Sequence, residues 1–500
     1  RVEGLPQIEG PRMAVRPTNL LLIMSDEHNP KALGCYGHPL VKTPHIDRLA
    51  AAGTRFDSAY TNCPICVPAR ASFATGRYIH ETGNWDFAFP YDGRVQGWGH
   101  RLQATGHRVT SIGKLHYRKP TDPTGIDEQI VPMHVLGGAG DLQGSIRDVF
   151  PEKPQSKDLA ARVGPGNTSY LDYDRTITRL ACWWLESKAP KFGGRPWLLF
   201  VSFVCPHYPF ISPPEFFELY PLHRIPPPKR RKDPRPFHPW WEAFENSYAF
   251  DRFFEDDERR RTAISAYYGL CSFMDENVGK ILRVLEDAGL EESTRVAYVS
   301  DHGDNLGARG LWGKSTMYEE SAGVPLVLSG AEVPRGRVVS TPVSLIDFYP
   351  TILECVGEPP GPDDRVLPAE SLFGIARGPD DPARVVFSEY HAAGSKSGVF
   401  MLRRGRFKYI HYQGFPPELF DLDADPEELS DLAAHSGHQD MLREFEAILR
   451  GMLDPEAVDR RAKEDQSAMI ARHGGREAVL KAKSPIATPA PAVDLRFTSE

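Results

Sequence analysis

Two acidic runs and a scatter of cations carry the chemistry this chain could do. Ser25-Asp26-Glu27-His28 and Ser300-Asp301-His302-Gly303-Asp304-Asn305 each place acidic or imidazole groups directly after an apolar run. Oxygen-rich sites of this kind suit hard divalent cations. Asp26 and Asp301 are the best candidate ligands, with His302 and Glu27 beside them. A strand-end Asp can instead cap the next helix, and one cluster alone reads that way. Two clusters on separate strands, each followed by a glycine-containing turn, favour a metal site. Lys114 and His116 stand two apart in Gly113-Lys114-Leu115-His116, on the same side of an extended chain. His207 follows a third apolar run, and Lys314 lies in GLWGKST. With Arg70 they would ring a metal with positive charge, which suits an anionic tetrahedral ester such as a sulfate or phosphate.

The stretch TNCPICVPAR holds Cys63 and Cys66 three positions apart. A redox pair needs a helix start in a small thioredoxin-like unit, which the surroundings do not supply. A zinc site needs a second pair, and the sequence has no other C-x-x-C and no H-x-x-x-H. A third reading puts Cys66 alone on the turn into the helix ARASFATGR, facing the strand ends as a nucleophile, with Arg70 about one helical turn further on. Cys63 is then a packed bystander.

Positioning these groups requires a set of strands that stop at one edge. NLLLIMSDE, RVTSIGKLH, WLLFVSFVCPH and RVAYVSDHGDN read as buried strands ending in polar groups, and helical patterns such as HIDRLAAAG and residues 260–288 lie between them. That alternation predicts an α/β fold with a large, mostly parallel sheet flanked by helices, in which ligands gather beyond the carboxyl ends of the strands. Beyond about residue 380 the short runs VVFSEY, VFMLRRG, RFKYIHY and ELFDLD, then a helix near 439–453, predict a small antiparallel sheet with one helix. The expected divisions are a catalytic domain over 1–380, a small α+β subdomain over 381–461, and an extended tail over 462–500. Its Pro/Ala-rich end is either a loose terminus or an arm on another subunit, and a homo-oligomer is expected.

Bulk properties exclude several classes. Of 500 residues, 41% are hydrophobic and 25% charged, an ordinary globular balance able to bury a large core. The net charge of −8, with Lys and Arg scattered, gives no footprint for nucleic acid or anionic membranes. The basic run Lys229-Arg230-Arg231-Lys232 reads as a solvated loop, and no apolar run approaches the ~20 residues of a membrane helix. Seven thinly spread cysteines do not form a disulfide framework. Together with an opening that lacks a signal pattern, they favour the cytoplasm, with a periplasmic location open if a leader was trimmed.

The sequence resembles the type I sulfatases of the alkaline phosphatase superfamily. Cys66-Val67-Pro68-Ala69-Arg70 matches the C-x-P-[SA]-R signature and Thr75-Gly76-Arg77 its trailing T-G-R; LLIMSDE, CYGHPLVKTPHIDRLAAAGTRF, GKLH, SFVCPH, SDHGDNLGARGLWGKS and ELFDLDADPEELSDLA follow in order. The resemblance implies that a formylglycine-generating enzyme converts Cys66 to formylglycine. One hydroxyl of its hydrate would attack sulfur, and the second would expel sulfate by elimination. It implies Arg70 and Lys114 steadying the nucleophile, His116 taking the proton in the elimination, and His207 and Lys314 holding sulfate oxygens and assisting the leaving group. One divalent metal, calcium for preference and manganese as the alternative, would be held by Asp26, Glu27, Asp301, His302 and the modified Cys66. Three positions depart from the common pattern: Glu27 replaces an Asp, His302 an Asn, and Ala74 a Leu or Met. Asp301-His302 is similar to the choline sulfatase and phosphonate monoester hydrolase branch, and nitrogen ligation favours a transition metal. The expected activity is hydrolysis of sulfate monoesters. Hydrolysis of phosphonate monoesters or phosphodiesters at the same site is the alternative, and a catalytically silent binding member of the fold the reading from another class. Trp85, Phe87, Phe89 and Trp98 are candidates for an aromatic pocket, which leaves a choline-like ester open, and ordinary core packing explains them equally well; Asn84 is a further candidate near the site.

Overall fold

The computed structural model describes residues 16–148, 152, 154–229, 238–482 and 487–492. Most of the basic run expected as a solvated loop, from Arg230 onward, lies outside the described residues.

The apolar run near the start becomes the strand Asn19–Asp26, with every residue from Leu20 to Asp26 buried. Burial on both faces is what a continuous Leu/Ile run requires of a central strand. It pairs in parallel with Leu198–Pro206 on one side and Thr294–Ser300 on the other. Eight strands form the main sheet, in the order Arg337–Val339, Thr54–Phe56, Leu326–Ser329, Thr294–Ser300, Asn19–Asp26, Leu198–Pro206, Val109–Lys114 and Glu128–Met133. Only Leu326–Ser329 runs against its neighbours, so the expected mostly parallel sheet is observed.

Alternation along the central strand sorts the core into two layers. Leu20, Leu22 and Met24 face a layer that includes Phe73 of the helix Cys66–Thr75 and Phe348 and Ile352 of Phe348–Val356. Leu21 and Ile23 face the opposite layer, where Ile177 and Trp184 of Ser169–Ser187 meet Met274 and Val278 of Asp257–Asp287. The central strands therefore end together between two helical layers, and the acidic runs begin where they stop.

The smaller unit is the expected antiparallel sheet, in the order Val385–Tyr390, Val399–Arg404, Phe407–Tyr412, Glu418–Asp421. The helix Gln439–Met452 packs on it through Phe445 and Leu449. A following helix, Pro455–Arg472, runs straight through residue 461. The expected boundary between subdomain and tail thus falls inside an element, because the Asp454 cap and Pro455 at the first helical position start a new helix rather than a linker. Of the tail, Ala487 and Ala490 pack against the chain's own core, and Tyr170 Oη donates to the Thr488 carbonyl at 2.5 Å.

Candidate active site

Cys66 opens the helix Cys66–Thr75, all of whose ten residues are buried. Pro68 fits in the first turn, where its missing N–H has no helical acceptor to lose. Gly76 ends the helix at φ +66°, and a Cβ there would stand 2.9 Å from the Tyr349 ring, so glycine meets both the turn and the packing. The thiol sits at the helix start, the positive end of the helix dipole.

Four buried ligand atoms, one each from Asp26, Cys66, Asp301 and His302, lie within 4.8 Å of one another. His302 Nε2 is 3.1 Å from Cys66 Sγ, 3.5 Å from Asp26 Oδ1 and 3.7 Å from Asp301 Oδ1. His302 Nδ1 meets the Gly303 carbonyl at 3.0 Å. A carbonyl only accepts, so Nδ1 carries the proton and Nε2 keeps its lone pair toward the cluster. Burial lowers this imidazole to about 3, which keeps it neutral. Two carboxylates, a sulfur and a neutral imidazole nitrogen on one point make a donor set that fits a divalent cation. Glu27 falls in a second buried trio with Asp26 and His207.

Cations close the other side. Arg70 Nε donates to Asp301 Oδ2 at 2.8 Å, and its Nη1 donates to the Lys114 carbonyl at 2.6 Å and to Ser202 Oγ at 2.8 Å. Lys114 Nζ contacts Asp26 Oδ2 and lies 3.9 Å from Cys66 Sγ. Burial pulls this ammonium down to about 7, and the Asp301 carboxylate works the other way. Lys314 Nζ donates to Cys66 Sγ at 3.2 Å and to Glu27 Oε2 at 3.0 Å; burial opposes its charge, but Cys66 and Glu27 raise it above the ordinary lysine value. His207 Nε2 is 3.2 Å from Glu27 Oε2. Burial pushes Glu27 well above the carboxylate range and holds His207 well below the imidazole range, so this pair carries its proton on the acid. Burial also pushes the Cys66 thiol up to about 12.

Backbone strain marks the same place. Glu27, His116 and Ser315 adopt φ of +67°, +52° and +78°, a region costly for residues with a Cβ. The strand Val109–Lys114 ends with Gly113 at φ +103°, where a Cβ would meet the Ser202 carbonyl at 2.1 Å. This lets two strands converge and turns His116 into the cleft. His116 is 3% exposed and leaves both ring nitrogens without a partner.

All the residues singled out for chemistry are thus brought together. The aromatic candidates divide. Phe87 lines the cleft with Tyr170, Tyr208 and Tyr248, whereas Trp98 is buried in the core beside Phe73 and Phe200. Trp85 donates to Asp465, and Asn84 Nδ2 donates to the Phe89 carbonyl rather than into the site. Ser202, Asp86 and Asp141 were not foreseen. Ser202 carries a sequence signal, a hydroxyl inside an otherwise apolar strand. Asp86 and Asp141 lie in loops whose approach to the cleft no periodicity reveals.

The model of the family described as sulfatase matches residues 18–358, and that of the N-sulphoglucosamine sulphohydrolase C-terminal region matches residues 307–454. A choline-sulfatase from Rhizobium meliloti (strain 1021) is 29% identical over 489 residues, covering 91% of this chain and 90% of that protein. Arylsulfatase K from Danio rerio is 29% identical over 465 residues, covering 88% and 85%. The crystal structure of a phosphonate monoester hydrolase of Agrobacterium radiobacter superposes with a TM-score of 0.69 at 23% identity, over 87% of this chain and 95% of that one.

Proposed function

The chain belongs to the sulfatase family, and from that premise we propose that it is a sulfuric ester hydrolase whose nucleophile is a formylglycine made from Cys66. The observation that carries this reading is the convergence on Cys66 Sγ of His302 at 3.1 Å, Lys314 at 3.2 Å and Asp26 at 3.5 Å. Sγ stands in for the oxygens of the modified residue. A thiol held up at about 12 by burial is a poor nucleophile at neutral pH. The hydrated aldehyde would supply one hydroxyl for attack on sulfur and a second for expelling sulfate.

Asp26, Asp301 and His302 would hold a divalent metal, calcium or manganese, which when bound polarises the nucleophile and the ester oxygens. The chain's own groups do the rest. Arg70 fixes Asp301 and the end of the Lys114 strand. Lys114 and Lys314 face the nucleophile from two sides and meet the negative charge that grows on the sulfate oxygens. The Glu27–His207 pair brings a proton to the cleft for the departing alcohol. His116, neutral because burial holds it well below the imidazole range, offers a lone pair for the proton lost as sulfate is released.

The test has two parts: sulfate release from 4-nitrophenyl sulfate, and the mass of the Cys66 peptide from enzyme made in a host that installs formylglycine. Active enzyme with an unmodified thiol would overturn the mechanism. One observation favours a second reading. The nitrogen ligand His302 suits manganese, and with it a phosphonate monoester or phosphodiester hydrolase; a higher kcat/KM on an aryl phosphonate than on the matched aryl sulfate would select it. We further propose maturation by a formylglycine-generating enzyme, assembly as a homo-oligomer, and a cytoplasmic location, the last supported by seven free cysteines.

A further inference from the structure

The helix Pro455–Arg472 begins one residue beyond the end of the second family match, at 454, yet it backs the wall of the cleft through Gln466. Gln466 is fully buried. Its Nε2 donates to Asp86 Oδ2 at 2.8 Å and to the His391 carbonyl at 2.8 Å, and its Oε1 accepts from Arg147 Nη1 at 2.9 Å. Both amide hydrogens and the amide oxygen are therefore used, which fixes the side chain's orientation.

Each partner leads to a different part of the cleft wall. Asp86 lines the cleft next to Phe87. Asp86 Oδ2 also accepts from Ser145 Oγ at 2.7 Å, at the end of the turn that carries Asp141 and Gly144, two more lining residues. Arg147 Nη1 donates to the His391 carbonyl at 2.7 Å and its Nε to the Ser395 carbonyl at 2.6 Å, bracketing Ala392 and Ala393, which line the cleft as well. Arg147 is anchored in turn by Asp459 of the same helix at 3.3 Å. Three segments far apart in sequence are thus tied at one buried polar node, and the helix Pro455–Arg472 supplies its centre.

We infer that Gln466 is a positioning residue for substrate selection: it aligns the 86–87, 141–145 and 391–395 segments into the wall that receives the alcohol half of the ester. This rests on the hydrolase reading of the site. The reacting groups around Cys66 make none of these contacts, so the node acts on how the organic group is held and leaves sulfur–oxygen cleavage to the residues already described. A half-satisfied buried network is costly, so changing Gln466 loosens the whole wall rather than one contact.

The experiment compares kcat/KM for 4-nitrophenyl sulfate, whose ring must rest on this wall, with that for methyl sulfate, whose alcohol is too small to span it. The ratio of the two does not depend on the fraction of protein correctly folded, so a merely structural role leaves it unmoved. In Gln466→Leu the ratio falls about tenfold, with KM for the aryl ester rising more than its kcat falls, as expected when uniform binding is lost. Ser145→Ala removes one bond to Asp86 and lowers the ratio about threefold; it serves as the decisive variant if Gln466→Leu does not fold. A ratio within twofold of wild type in the folded variant overturns the inference while leaving the hydrolase reading intact. Failure of the wild-type enzyme to release sulfate from either ester overturns both.

Discussion

Replacing Arg70 by Lys tests whether the site depends on a rigid fork or only on a positive charge. Arg70 is 1% exposed, and two of its nitrogens make three hydrogen bonds in different directions: Nε to Asp301, and Nη1 to the Lys114 carbonyl and Ser202. A single ammonium cannot reach both Asp301 and the Lys114 strand end, so Arg70→Lys loses the bonds on one side. Hydrogen bonds from a charged group contribute about 1.5–3 kcal/mol each, and breaking a buried pair costs about 3–5 kcal/mol, so stability should fall by roughly 3 kcal/mol. Asp301 retains N–H donors from Glu27 at 3.3 Å and His302 at 3.0 Å on Oδ1, but its Oδ2 is released and the carboxylate can rotate away from the cluster. A loss of about 2.7 kcal/mol in transition-state stabilisation corresponds to a hundredfold fall in kcat/KM. Urea denaturation followed by intrinsic fluorescence reads the first quantity and sulfate release the second. If Arg70→Lys keeps wild-type stability and a kcat/KM within fivefold, the positioning argument is wrong and charge alone suffices.

Four further outcomes follow from the geometry. Prolonged dialysis against a chelator should abolish sulfate release, with calcium or manganese restoring it. His302→Asn should shift the preference toward calcium, since an oxygen replaces the nitrogen ligand; titration of the apo-protein with each metal reads this directly. Lys408 Nζ is fully buried between the Met317 carbonyl at 3.0 Å and Glu428 Oε1 at 2.8 Å, with Glu319 beside it, and it ties the small sheet to the segment after Lys314. Lys408→Met takes the ammonium from the buried Glu428, which keeps only the Glu319 backbone N–H, and from the part-exposed Glu319, and should cost about 3 kcal/mol, seen as a lowered thermal midpoint. Tyr170→Phe removes the bond to the Thr488 carbonyl and should hasten proteolytic removal of the tail, followed by mass spectrometry of the clipped chain.

The main sheet was legible because its strands are continuous apolar runs that stop at polar groups, a pattern strong enough in the sequence alone to place Asp26, Lys114, His207 and Asp301 at one edge. The small sheet was legible from alternation and tight turns. What stayed hidden shares a physical feature: it depends on distant segments meeting. Gln466 is an unremarked polar residue of a surface-like helix until Asp86 and Arg147 approach it. Glu27 read as one more strand-end acid, but its left-handed backbone and burial turn its carboxylate to Lys314 and His207, making it a carrier of a proton as much as a ligand candidate. Trp98 and Trp85 fit pocket and core equally well in the sequence because an aromatic ring has no sequence mark telling one from the other.

The charge balance bears on sulfate against phosphonate. Arg70, Lys114 and Lys314 face Asp26 and Asp301, while Glu27 is pushed toward its neutral form and burial keeps His116, His207 and His302 neutral. Arg70 and Lys314 balance Asp26 and Asp301, so the residues alone leave the site between neutral and singly positive according to the state of Lys114, and a divalent ion adds to it. Sulfate monoesters and phosphonate monoesters are both monoanions at neutral pH, so overall charge does not separate them. A phosphonate, however, replaces one oxygen with carbon. Lys314 Nζ, which lies over the Tyr208 ring at 5.7 Å, and Lys114 would then compete for fewer acceptors, and one buried donor would go unmet. An unmet buried donor costs about 1–3 kcal/mol, or roughly five- to 150-fold in kcat/KM. The matched 4-nitrophenyl esters should therefore favour sulfate by that factor, and a ratio at or below one would refute the argument.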